Sequence, residues 1–233
     1  MVRQVGGWLS FLLAWLFWQP SQAQHLAPIT HWEDSLVKLG YTLYQNPSEP
    51  ERLKANFDFV QTLVQALKTP NSFYYSFETL NMISNLVAPD SSFRLFSWHV
   101  PLNDGSFLYY GAIQKNTKDG KLILFPLLDQ TFEIHSPSST ITSNKQWYGS
   151  QYYEIIPFNK SYLLLGWKGH SSEITQKIIE VLAFEPVSGE PIFGKKIFKE
   201  ENSFLNVYLL DLVLVLQFLF CFLTVQIAYY FIR

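Results

Sequence analysis

The chain has 233 residues, with 17 Lys+Arg against 19 Asp+Glu and a formal charge of −2. With no basic block of five or more residues it has no electrostatic footprint for nucleic acid, which is excluded as an expected partner. A single cysteine, Cys221, leaves no internal disulfide, so a hydrophobic core must hold the fold, and 7 Trp, 13 Tyr and 20 Phe fit either a β-rich exported domain or a carbohydrate or peptide surface.

Arg3, the apolar run Gly7 to Trp18 and the small residues Ser21 and Ala23 read as a secretory signal peptide over residues 1–23. Gln24 is then the first mature residue, and because it is not cysteine no lipid acceptor stands there. Residues 24–88 are read as helical. Thr30-His31-Trp32-Glu33 has the form of a capping box, followed at helical spacing by Trp32, Leu36, Leu39 and Leu43. Ser48-Glu49-Pro50-Glu51 opens a second helix, on which Leu53, Phe57, Val60, Val64 and Leu67 form one stripe before Pro70. The two make a helical hairpin in need of a packing partner. A shorter helix is expected from Phe77 to Leu86.

From residue 89 to 203 the period changes to that of strands. Phe93 to Val100 and Phe107 to Gln114 flank Asn103-Asp104-Gly105, a hairpin signal, and Lys118-Asp119-Gly120 repeats the device before Leu122 to Phe125. A Ser/Thr-rich loop, Ser136 to Ser143, precedes two further pairs: Tyr152 to Pro157 with Tyr162 to Trp167, and Lys177 to Phe184 with Ile192 to Phe198. The expected fold is α+β, a helical hairpin followed by an antiparallel β-meander sheet with helices on one face. Residues 204–233 read as an apolar C-terminal segment. Its core, Leu212 to Ile232, is long enough for a transmembrane helix and would tie the protein to a membrane. A frame-shifted tail is the competing reading.

Taken together, Leu86 to Trp98, Asn103-Asp104-Gly105, the set Tyr109, Gly111, Ile113 and Gln114, Tyr162 to Gly169, and Gly189 to Gly194 resemble a family of uncharacterised exported proteins of Bacteroidota, over residues 35–198. The resemblance implies a periplasmic or cell-envelope setting and no activity. In that family the β pattern continues past the position of Phe198, and this chain departs from it there.

Candidate sites are sparse. His25, His31, His99, His135 and His170 lie far apart without metal-ligand spacing, so no metal or cofactor is expected. No nucleophile elbow or phosphate loop is present, so no catalytic residue is named. Asp90, Arg94 and Asp104 surround the first hairpin as a possible polar-ligand set, with turn formation and an ion pair to Arg94 as the structural alternative. Trp98, Trp147, Trp167, Tyr148, Tyr152 and Tyr153 form either an aromatic binding face or core. The ligand-binding candidates are thus Asp90, Arg94, Trp98, Asp104 and Trp167. Three functions remain in view: a non-catalytic binding or structural protein of the envelope with a protein or polysaccharide partner, a hydrolase of an envelope polymer using carboxylates assembled by the fold, and a truncated gene product.

Overall fold

A computed structural model describes residues 27–169, 174–200 and 203–213. The expected signal peptide, Gln24, His25, His170, Cys221 and the span candidate beyond Val213 lie outside these residues. Helices α1 (Ala27–Gln45) and α2 (Glu49–Leu67) pack side by side. Twelve strands follow: β1 (Ser84–Val87), β2 (Phe93–Pro101), β3 (Phe107–Lys115), β4 (Leu124–Leu128), β5 (Thr142–Ser143), β6 (Gln151–Phe158), β7 (Ser161–Gly169), β8 (Ile174–Phe184), β9 (Pro191–Phe193), β10 (Phe198–Glu200), β11 (Ser203–Leu205) and β12 (Val207–Val213). The α+β class is as expected, but the single meander sheet is not.

The strands form two larger sheets, one ordered β1-β2-β3-β4 and one ordered β5-β9-β8-β7-β6 with β12 beside β8. Alternation along β2 shows how they stack. Phe93 and Leu95 join Tyr109, Trp147, Tyr152, Ile155, Leu164 and Leu182 in a core between the sheets, whereas Phe96, Trp98 and Val100 point to the helices and meet Leu36, Leu43, Phe59 and Leu63. The first sheet is therefore covered on both faces. The β10–β11 hairpin places Phe198 with Leu163, Leu165, Ile179 and Val181 in a further cluster. Residues 144–147 run along the edge of β4, with Leu128 N donating to Asn144 O (2.8 Å) and Trp147 N to Leu128 O (3.0 Å), which caps an edge otherwise open to pairing.

Each helix start differs from its sequence motif. α1 begins three residues before Thr30, so no capping box forms; Glu33 instead accepts from Thr79 N and Thr79 Oγ1, both at 2.7 Å, and from the Tyr75 hydroxyl. Burial pushes the Glu33 carboxyl up, but these hydrogen bonds outweigh it and hold it below its ordinary value. A carboxyl with a lowered folded pKa contributes stability above its unfolded value and loses it as pH falls through the folded one. Glu33→Gln is accordingly expected to flatten the acid limb of stability against pH below about 4.5 and to cost about 1–3 kcal/mol at neutral pH, measured by urea melts. Ser48 does sit at the N-cap of α2, with proline in the first turn, but its side chain makes no capping bond.

The expected helix over Phe77 to Leu86 does not form. Phe77 takes a left-handed conformation at φ 53°, and Ser84–Val87 pairs antiparallel with β2, Ser84 opposite Ser97 and Val87 opposite Arg94. The predicted hairpins at Asp104-Gly105 and Asn159 stand, the turn residues Gly105 (φ 83°) and Asn159 (φ 53°) occupying the left-handed region such turns require. The strand expected from Ile192 to Phe198 divides into β9 and β10. Strand structure also continues beyond residue 203. β12 pairs with β8 from Val207 opposite Glu180 to Val213 opposite Ile174, so Leu212 and Val213, the first two residues of the expected span, belong to a sheet. Among the described residues no helix is long and apolar enough to cross a membrane.

Candidate functional site

The five candidate residues do not converge. Asp90 lies in the β1–β2 turn, accepting from Ser92 N (3.1 Å), Ser92 Oγ (2.8 Å) and Tyr162 Oη (2.6 Å), which ties the start of β2 to the start of β7. Asp104 lies beyond the other end of β2, accepting from Ser106 N and Ser106 Oγ within its own turn. Arg94 pairs with neither. It is 1% exposed and faces the helical layer, where it donates to Tyr75 O, Ser72 O (2.9 Å) and Gln114 Oε1 (2.7 Å) beneath the rings of Phe73, Phe77 and Phe96. The reason is the strand period: adjacent to Phe93, which enters the inter-sheet core, Arg94 must point the other way. Trp98 and Trp167 border two different cavities, each of about 490 Å³.

The first cavity is a groove between α2 and the helix-facing side of β3 and β4. Its α2 wall is Leu53, Phe57, Val60, Val64 and Leu67, and Trp98 and Tyr110 stack near its floor with centroids 5.9 Å apart at 16°. The apolar stripe of α2 lines this groove, and Phe57 is 62% exposed. The core is served by a neighbouring set, Ala55, Phe59, Leu63 and Ala66, with Leu63 and Leu67 meeting both and Leu53 and Val60 packed against its rim. No charged side chain lines the groove. Asn56 Oδ1 is already engaged by Trp98 Nε1 at 2.8 Å.

The second cavity is a cleft between the facing edges of β1 and β6, bordered by Ser84, Asn85, Leu86, Gln151, Tyr153 and Trp167. Trp167 packs against His99 (centroids 5.1 Å) and Phe107 (5.4 Å). His99 meets Gln151 Oε1 through Nδ1 at 2.7 Å, and burial lowers its pKa, so the neutral ring carries its proton on Nδ1 and donates. No carboxylate lines either cavity.

Between the sheets lies a buried polar network that the search for motifs missed. Trp147 Nε1 donates to Tyr152 Oη (2.8 Å), and that hydroxyl donates to Glu180, which is 1% exposed. Lys168, 3% exposed, donates to Thr131 Oγ1 (2.7 Å) and Gly149 O and lies 4.3 Å from the ring centroids of both Tyr109 and Tyr148. Burial raises the Glu180 carboxyl to about 7 and lowers the Lys168 amine to about 8. A signal for this was available: Glu180 interrupts the apolar run Ile178-Ile179-Glu180-Val181-Leu182, and a charge in a fully apolar strand demands a buried partner. Neither Glu180 nor Lys168 borders the two cavities; of the network, Tyr152 lines the second. Among the described residues no group of three or more His, Cys, Asp or Glu side chains is placed to hold a metal ion. Compared with family models, curated proteins and solved structures, the chain matches none.

Proposed function

We propose that this chain is a non-catalytic binding protein of the bacterial cell envelope, and that its binding surface is the groove beside α2, which takes an apolar helix of a partner protein. The second seam of α2 carries the reading. Leu53, Phe57, Val60, Val64 and Leu67 follow at alternating steps of four and three, the spacing at which one helix receives the side chains of another. A helix with solvent on this side normally has polar residues there. Leu53, Val60 and Leu67 lend part of their surface to the core, but the side of the seam around the exposed Phe57 is left to the groove, and an uncharged lining selects an apolar partner. The envelope setting rests on the signal peptide and on the family resemblance of residues 35–198.

The test is a labelled amphipathic peptide with leucine at successive a and d positions. Saturable binding is expected, and Phe57→Asp should weaken it about tenfold or more while leaving the melting temperature within a few degrees, because Phe57 is largely exposed in the unbound fold. A peptide that does not bind, or binds Phe57→Asp equally well, would remove the groove as the binding surface.

A further inference from the structure

We infer that the cleft between β1 and β6 is a binding site for a neutral saccharide, separate from the groove. Its volume of about 490 Å³ falls within the 300–1,000 Å³ of sites that hold small ligands. The chemistry of its border narrows the ligand. Ser84 Oγ, on the face of β1 turned toward the second sheet, is shielded from water and has no hydrogen-bond partner, an arrangement native folds rarely keep without a use, whereas Asn85 turns to the other face and donates to Ser76 O at 2.8 Å. The Ser84 hydroxyl can change between staggered rotamers, so meeting a ligand requires no backbone movement.

Two donors complete the set. The Gln151 carboxamide oxygen is held by His99, which fixes the amide nitrogen on the opposite side, and neither that nitrogen nor Trp167 Nε1 bonds another described residue. The cleft thus offers acceptors and donors together, with no charged side chain to attract an ion. A sugar hydroxyl both gives and takes a hydrogen bond, and the C–H face of a pyranose ring suits the indole of Trp167. An anionic ligand would meet no cation here, and an aliphatic one would leave three polar groups without partners. In this role His99 is a positioning residue: it orients Gln151 and need not touch the sugar.

The experiment uses the full chain, ¹⁵N-labelled in tryptophan, titrated with maltotriose, cellotriose and tri-N-acetylchitotriose. The inference expects a saturable shift of the Trp167 indole N–H with at least one of the three. Gln151→Met should weaken that binding about tenfold and Ser84→Ala about fivefold, the range of one lost hydrogen bond. Ser84→Ala should also leave the melting temperature unchanged or raised, because it removes an unmet polar atom. Three results would each overturn the site: no shift with any probe, affinity indifferent to Gln151→Met, or a melting temperature lowered by Ser84→Ala, which would show that the hydroxyl serves the fold. Phe57→Asp, which disables the groove, should leave sugar affinity unchanged, so the two proposals fail independently.

Discussion

Arg94→Ala is expected to lower stability by about 4 kcal/mol or more, seen as a fall in the urea midpoint with little change in slope. The side chain fills space beneath three phenylalanine rings and supplies the donors for Tyr75 O, Ser72 O and Gln114 Oε1. Alanine leaves a cavity and three acceptors with fewer donors at once. Those acceptors belong to the segment after α2 and to β3, so one guanidinium on β2 fastens three parts of the chain. No carboxylate neutralises it, and burial alone lowers its pKa to about 9, which still leaves it charged at neutral pH. Arg94→Lys should rescue little, because an ammonium on a flexible stem cannot reproduce a planar fork reaching three oxygens. Arg94→Met should fall between the two, restoring volume without donors. An alanine variant within about 1 kcal/mol of the parent would show that the surrounding carbonyls find water instead.

The second large effect is a pH dependence with a minimum near neutrality. Glu180 titrates near 7 in the fold against an ordinary 4.5, so ionising it costs stability; the loss begins as pH rises through 4.5 and is complete above about 7. Lys168 titrates near 8 against an ordinary 10.5, so charging it also costs stability; that loss begins as pH falls through 10.5 and is complete below about 8. Both costs are present together between about pH 7 and 8. Each shift corresponds to about 3 kcal/mol, with the mutual attraction of the two charges already offsetting part of the burial cost. Glu180→Gln should abolish the decline between pH 4.5 and 7 while keeping the acceptor for Tyr152 Oη, and Lys168→Met should abolish the rise between 8 and 10.5. Melts at intervals of one pH unit decide it. A profile in Glu180→Gln parallel to that of the parent would place the titration elsewhere.

Where local chemistry chose the structure, the sequence was readable. Pro50 and Pro70 bracket α2 because the first-turn proline and the terminal proline are both short-range effects, and Asp104-Gly105 and Asn159 mark turns for the same reason. Tertiary pairing prevailed elsewhere. Leu80, Ile83 and Leu86 suit a helix stripe, yet Ser84–Val87 is held as a strand by β2. The split into two sheets was not legible, since strands of either sheet carry the same alternation. The cleft was half-legible: Trp167 stood out by composition, but Ser84, Asn85 and Gln151 are ordinary polar residues on strands distant in sequence, and only the approach of β1 to β6 gives them a common space. The α2 stripe was read correctly as apolar with its packing partner left open, because spacing shows which residues share a face and not what that face meets: Leu53, Val60 and Leu67 touch the core while Phe57 is exposed.

The pairing of β12 with β8 sets the order in which the molecule can be finished. β8 carries β7 along one side, and its other side is divided between β9, at Leu182–Phe184, and β12, at Ile174–Glu180. During synthesis the first sheet and its helices are complete long before residue 207 emerges, whereas seven rungs of β8 stay bare until the chain has been made through Val213. For that interval a nascent chain displays an unpaired strand edge, and a neighbouring chain on the same message presents the matching strand in the same register. Exchange of β12 between two copies is the misassembly this topology invites, and it would be favoured by anything that slows translation over β12.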